Sequence, residues 1–586
     1  MSYDILLINV HRDYLGLGPL IYCITIGINL LAVYLKEKGY NVALFRGAAH
    51  EAMECMEEIM KKDGAKTVGF YCDYANQTLV EEFSRKVKET WNVPVFTGGP
   101  QAVGLGEDFF RKSQCDVVVR GDGEFTLSDL LDVYIKNEKK LSEIDGISYM
   151  EEGKVVCRPE RKALEYLDSL PWPDFRLEKN HESWTYLPVM TGRGCPYQCA
   201  FCYEGSNTKK VRFRSVENVI KEIICHFERH PQVKYIFFVD DTFTLDPKRV
   251  EKFCRELSRL RKEKDFVWFC DAHVQTLFKW PEMLRQMTEA GMVKVYLGIE
   301  SGSDRVLELY RKNTTAEMIE SVIKNCVKAG VPLIKGNIIT GGPLESDETM
   351  EADAELIKDL LCIAPGQFDP FNTFLIPYEK TPIKLNPEDF GISLMPERYF
   401  HTLEDIPLTE TDSLSWLNIL KKERDFNRLI LKIMREFYLK GKVPHETLLR
   451  AYCLAYRYDV YSGWLLNVFP YHHLYHSYYK LLARNILKHS EDIKGNLLLC
   501  RPCRVFEIWN TVIYDRGYPC IDKYILSPLE YELLLLCSGK LRLCEMLDRT
   551  YESFGQGSDS RDDFRRNVLT LLKGFEERRW IAYSYF

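Results

Sequence analysis

No apolar run among the 586 residues reaches the roughly 18 that a membrane span needs. A dense basic stripe is also missing, and the net charge is −7, so neither a membrane nor a nucleic-acid partner is expected. No basic segment precedes the first apolar stretch, residues 5–10; a signal peptide is therefore not expected, and a cytoplasmic setting is. No G-x-G-x-x-G follows that stretch, which weakens a dinucleotide-binding reading. Cysteine, by contrast, is abundant. Nineteen of them in a chain of this kind are read as reduced thiols and ligands rather than disulfides. Hydrophobic content of 46% and charge of 28% describe an ordinary soluble protein, and the length calls for about three or four domains.

Three of the cysteines organise the chain. Cys195, Cys199 and Cys202 stand in a C-x3-C-x2-C spacing just after the apolar run 187–190, with Gly192, Gly194 and Pro196 as turn punctuation. Three thiols so close in sequence suit a soft multi-iron cluster that leaves one iron without a protein ligand.

The C-x3-C-x-aromatic-C motif resembles the signature loop of the radical S-adenosylmethionine (SAM) enzymes. That resemblance implies a [4Fe–4S] cluster on Cys195, Cys199 and Cys202, with its open iron chelating the amino and carboxylate groups of S-adenosyl-L-methionine. An electron from the cluster then splits the sulfonium to a 5′-deoxyadenosyl radical. By the same resemblance Phe201 lies near the adenine. The segment G-I-E-S-G-S matches the family's ribose-binding strand, so Glu300 accepts from the ribose hydroxyls and Ser301 assists. Asp240 and Asp241, at the end of an apolar strand, suit the methionine ammonium, and Lys335 suits its carboxylate.

Residues 1–150 alternate short apolar strands (5–10, 41–45, 67–71, 93–97, 116–119) with helical patterns, as in a doubly wound parallel sheet. Ligands of such sheets sit beyond the carboxyl ends of the strands. Glycines in Gly98-Gly99-Pro100-Gln101 and Gly121-Asp122-Gly123-Glu124 admit a large planar ligand there, whether a flavin, a nucleotide or a corrin. G-G-P-Q followed by D-V-V-V-R-G-D-G-E-F-T-L resembles the cobalamin-binding domain that precedes many radical SAM cores. This implies cobalamin contacts from Tyr71, Cys72, Tyr74, Gly98, Gly99, Pro100, Gln101, Gly121, Gly123 and Glu124. The D-x-H-x-x-G motif of lower-ligand histidines is absent; Asn9-Val10-His11-Arg12-Asp13-Tyr14 is a near miss, and His11 is better read as a loop histidine.

The expected domains are a cobalamin-binding, Rossmann-like domain (1–150), a proline-rich linker (151–185) and a partial (β/α)6 barrel (186–385). A helical region (386–520) and a winged-helix-like module (521–586) follow. The barrel's closing strand is placed at 374–382. Cys500, Cys503 and Cys520 are candidates for a second metal centre, and the run from Tyr471 to Tyr479, with His472 and His476, reads as aromatic packing.

A radical generator beside a corrin implies methylation of an unactivated carbon of a peptide or natural product, the peptide preferred because of the terminal module. The rivals are a non-methylating cyclisation, ring contraction or oxidation on the same scaffold, and a nucleic-acid-binding sensor. An electron donor such as flavodoxin or ferredoxin is implied, and a monomer is expected.

Overall fold

The computed structural model describes residues 2–11, 26–207, 210–396, 406–468, 473–493, 495–557 and 560–585. Arg12, Asp13, Tyr14, Tyr471 and His472 lie outside them. The chain divides into two units, one of residues 1–364 with 370–430, the other of 365–369 with 431–586.

The first unit opens with strands β1 (Ile5–His11), β2 (Val42–Ala48), β3 (Val68–Tyr71), β4 (Val95–Gly98), β5 (Val117–Val119), β6 (Ile147–Glu151) and β7 (Lys154–Cys157). They form one sheet in the order β2-β1-β3-β4-β5-β6-β7, parallel through β5 and antiparallel beyond it. Side chains of β1 alternate between two cores: Ile5 and Leu7 pack with Ile28 and Leu127, while Leu6, Ile8 and Val10 pack with Val80 and Phe109. Helices on both faces explain why its residues from Ile5 to Val10 are all buried.

The linker is tied to both of its neighbours, the first sheet's helix and the barrel. The side chain of Asn29 accepts from Asp174 N at 2.8 Å and donates to Asp174 O at 3.2 Å. Trp172 Nε1 donates to Asn218 Oδ1 at 3.2 Å.

A second sheet contains β8 (Tyr186–Val189), β11 (Tyr235–Phe238), β12 (Val267–Ala272), β13 (Met292–Glu300), β14 (Leu333–Thr340) and β15 (Phe368–Phe374), each beside its sequence neighbour. Between β8 and β11 lies a small clasp, β9 (Gly192–Arg193) antiparallel to β10 (Arg212–Phe213). Parallel strands joined by helices make the expected open barrel. The helix Val216–Arg229 is capped by Ser215 Oγ, which accepts from Asn218 N at 3.2 Å.

The closing strand differs from expectation. It is β15, ending at Phe374, and 375–381 is a turn leading into the helix Pro382–Leu385. Pro377 and Pro382 lack the N–H that a ladder needs, and Thr381 caps the helix that Pro382 starts.

The second unit holds the helix His445–Tyr458 and a terminal module of three helices, Pro528–Leu536, Leu543–Phe554 and Arg561–Glu577. Here β16 (Arg501–Arg504) pairs with β17 (Ile581–Ser584), so strands on both sides of the 520/521 boundary share one sheet. Cys500, Cys520 and Cys537 are buried. Among the described residues, no group of three or more His, Cys, Asp or Glu side chains is placed to hold a metal ion. His476 Nδ1 lies 2.9 Å from Tyr452 Oη. No helix among the described residues is long and apolar enough to cross a membrane.

Candidate active site

The strand β8 delivers the chain to the clasp, and the cysteine loop runs between its two strands. Gly194 enters the loop with φ +88°, a conformation that L side chains rarely adopt. Asp240, just past β11, holds the start of the loop. One carboxylate oxygen accepts from Thr191 N at 2.5 Å and from Gly192 N at 3.1 Å, and the other accepts from the Thr191 hydroxyl. Arg249 donates to Thr191 O at 2.7 Å. With both its oxygens engaged inside the protein, Asp240 anchors the loop. Asp241 reaches the surface beside the cysteines, and desolvation together with Glu204 and Asp240 lifts its carboxyl to about 7.

Within the loop, Cys202 N donates to Cys199 O at 3.1 Å and Ala200 N to Tyr310 O at 2.9 Å. Cys195 and Cys199 are buried and Cys202 partly so; burial raises all three thiols, Cys199 to about 11. Their charges act on one another: Cys199 feels both Cys202 and Cys195. This donor set fits an iron–sulfur cube, whose irons take one thiolate each, so that its ligands stand farther apart than those of a single ion. Metal binding releases the thiol protons that burial otherwise retains.

Lys312 acts electrostatically on Cys195 and Cys199 of the loop. Its buried ammonium lies 2.8 Å from Glu300 Oε1 and 5.8 Å from the centre of the Phe201 ring, and its charge favours the Cys199 thiolate. Asn337 Nδ2 donates to the other Glu300 oxygen at 3.2 Å. A Cβ on Gly298 would fall 2.1 Å from Glu300 Oε1 and 2.5 Å from Lys312 Nζ, so a side chain there would displace the pair from this arrangement. Ser301 Oγ donates to Asp353 Oδ1 at 2.8 Å and accepts from Ser303 N, which shapes the loop after β13. Phe201 packs edge-on against Tyr310. Lys335 lies over the Tyr296 and Phe371 rings at 5.2 and 4.3 Å. Thr191, Lys312, Asn337 and Asp353 are not singled out by the sequence reading, because each acts through a partner distant in sequence.

At the carboxyl ends of the first sheet, Gly99 has φ +113°, and a Cβ there would lie 2.3 Å from Cys72 O. Cys72 is fully buried, and the Gln101 side chain donates to Gln77 at 2.8 Å, so both face inward. Tyr74 packs edge-on to Tyr378. Gly98 and Gly121 leave open backbone: nothing lies within 4 Å of a Cβ on Gly121, and only Val119 approaches one on Gly98. A floor without side chains fits a broad planar ring. Glu124 instead binds Arg193 of the clasp at 2.5 Å, and Asp122 lies 2.9 Å from Arg193 while also pairing with Arg212. The end of the first sheet is thereby tied to the cysteine loop.

Residues 189–357 match the radical SAM superfamily and residues 21–131 the B12 binding domain. The chain is 31% identical over 430 residues to an uncharacterised methyltransferase of Pyrococcus horikoshii, covering 71% of this chain and 88% of that protein. The chain belongs to the cobalamin-binding radical SAM family. Similarity extends to the anaerobic magnesium-protoporphyrin IX monomethyl ester cyclase of Rubrivivax gelatinosus, 26% identical over 56% of this chain and 61% of the cyclase. Two solved members of the family share the fold. The cobalamin-dependent S-adenosylmethionine radical enzyme OxsB, with aqua-cobalamin bound, aligns over 99% of this chain and 85% of its own at 16% identity and TM-score 0.54. TsrM, a radical S-adenosylmethionine methyltransferase of Kitasatospora setae, aligns over 67% and 79% at 18% identity and TM-score 0.54. This radical SAM enzyme therefore uses a [4Fe–4S] cluster, SAM and cobalamin.

Proposed function

We propose that the enzyme methylates an unactivated carbon of a peptide or small natural product. When bound, the cluster and SAM supply a 5′-deoxyadenosyl radical that abstracts hydrogen, and the corrin supplies the methyl group. The observation that carries the reading is the tie between the two halves: Arg193, in the clasp that bounds the cysteine loop, is paired with Asp122 and Glu124 at the end of the corrin-type sheet.

In this reading Cys195, Cys199 and Cys202 are the cluster ligands. Asp241 receives the methionine ammonium, a cation that offsets the carboxylate repulsion there. Glu300, oriented by Lys312 and Asn337, accepts from ribose hydroxyls, and Phe201 borders the adenine. Gly98, Gly99, Pro100 and Gly121 border the corrin with Tyr71 and Tyr74. No proton has to be taken from the substrate carbon as an ion, so the chain's task is to position reactants and exclude water. A small electron-transfer protein, flavodoxin or ferredoxin, reduces the cluster, and the enzyme acts as a monomer.

Anaerobic reconstitution followed by product analysis tests the reading. Deoxyadenosine and S-adenosylhomocysteine should form together with a product heavier by one CH2 unit. Deoxyadenosine without methylation would overturn it. Similarity to the cyclase favours a second reading, radical chemistry without methyl transfer; a product of unchanged carbon count identifies it.

A further inference from the structure

The cysteine loop turns an outer side to solvent between its first two thiols. Pro196 and Gln198 are exposed there, while Cys195, Cys199 and Ala200 are buried. Two segments brace the loop at Ala200: its N–H donates to Tyr310 O at 2.9 Å, and its carbonyl accepts from Ile383 N at 3.3 Å. Each bracing segment also carries an exposed cation. Arg311 follows Tyr310, and Lys380 stands three residues before Ile383.

Both cations sit in the left-handed region, Arg311 at φ +55° and Lys380 at φ +63°, where residues with a Cβ are uncommon. At Arg311 the bend parts two neighbouring charges: Lys312 is buried against Glu300, and Arg311 is left outside. Arg311 and Lys380 line one groove of about 300 Å³, together with Gln198, Ser206, Leu385 and Asn386. No acid among the described residues lines that groove, and neither cation has an ion-pair partner among them. Glu379, beside Lys380, is paired with Lys384 at 3.3 Å. Pro196 and Tyr197 border a second cavity of about 490 Å³, walled by Phe213 and Trp280, with Lys279 over the Trp280 ring at 5.4 Å. Its one acid, Asp246, caps the helix Pro247–Leu260. Glu204, Glu308, Glu388 and Asp389 of the flanking segments line neither hollow, so three cations stand against one carboxylate.

We propose that this outer face of the cysteine loop is the docking site of a small acidic one-electron carrier protein. The carrier's carboxylates lie on Arg311 and Lys380, and its redox group comes against Pro196 and Gln198. Electron transfer falls off steeply with distance, so the carrier has to reach the loop that holds the cluster. The chain carries a net charge of −7 and repels an acidic partner over most of its surface. Unpaired cations on the two segments that brace the loop single out where such a partner lands. Leu385, 63% exposed at the rim of the groove, adds the apolar contact of a small, short-lived interface. One electron leaves the carrier and enters the cluster, with no bond made or broken. The inference rests on the radical reading, which supplies the need for that electron.

The test compares a docking reductant with one that needs no docking. The full chain, loaded anaerobically with cluster and corrin, is titrated calorimetrically with an oxidised bacterial flavodoxin at low and at high salt. With SAM added, deoxyadenosine formation is then timed with reduced flavodoxin and, separately, with excess dithionite. The double variant Arg311→Glu, Lys380→Glu should bind flavodoxin at least about tenfold more weakly and lose its salt dependence. Its deoxyadenosine rate should fall to match with flavodoxin and stay unchanged with dithionite, and Arg311→Lys should keep most of both. The proposal is overturned if the unmodified enzyme does not bind flavodoxin, or binds it equally at both salt concentrations. It is also overturned if the double variant binds normally, or loses as much rate with dithionite as with flavodoxin. Where the variant fails to fold, the salt dependence of the unmodified enzyme decides alone. Failure to take up iron and sulfide, or to form deoxyadenosine with dithionite, would instead count against the radical reading.

Discussion

Replacing Lys312 by methionine tests the buried pair beside the cysteine loop. Lys312 and Glu300 are 6% and 4% exposed, with ammonium and carboxylate 2.8 Å apart. Methionine keeps the length and packing of the stem but leaves Glu300 buried with one neutral donor, Asn337. Breaking a buried pair by removing one partner costs about 3–5 kcal/mol, because the remaining charge has lost its compensation. Removing both charges is far less damaging, so Glu300→Gln in the same chain should recover at least about 1 kcal/mol of that loss. Urea unfolding of the iron-free full chain, followed by circular dichroism for the two single variants and the double, measures all three values. A Lys312→Met loss below about 1 kcal/mol, or strictly additive losses, would refute the view that this pair is desolvated and mutually dependent.

Asp240→Asn should leave the first sheet and barrel folded but loosen the start of the cysteine loop, because a neutral amide cannot accept on both oxygens from Thr191 and Gly192. Iron and sulfide per chain should fall severalfold after reconstitution, and full retention would show that the anchor is dispensable. His226, 1% exposed, gives a pH dependence: burial first, then His230 and Arg229, hold its imidazole at about 3. The unfolded chain protonates it near about 6.5, so its contribution is complete above that pH. Below it, stability falls toward the folded value by up to about 1.4 kcal/mol per pH unit. His226→Gln should flatten the acid limb of a urea-midpoint profile, and an unchanged limb would contradict the assignment.

Much of the fold was legible because its signals are local. Short apolar strands buried on both faces announce a parallel sheet, and Ser215 caps the barrel helix that follows it. The closing strand was misplaced because 368–374 mixes polar and aromatic residues, while 374–382 imitates a strand apart from its prolines. The cysteine loop is likewise visible in one stretch of chain.

Residue order alone was enough to set the class of chemistry: three thiols at a fixed spacing after an apolar strand, and glycines at the ends of an α/β sheet. How neighbouring carboxylates divide their work was settled only by folding. Asp240 is spent on backbone amides while Asp241 reaches the surface, and Glu124 answers Arg193 from 69 residues away. A carboxylate's role depends on which donors and charges reach it after folding, and those partners come from strands that only the sheet brings together.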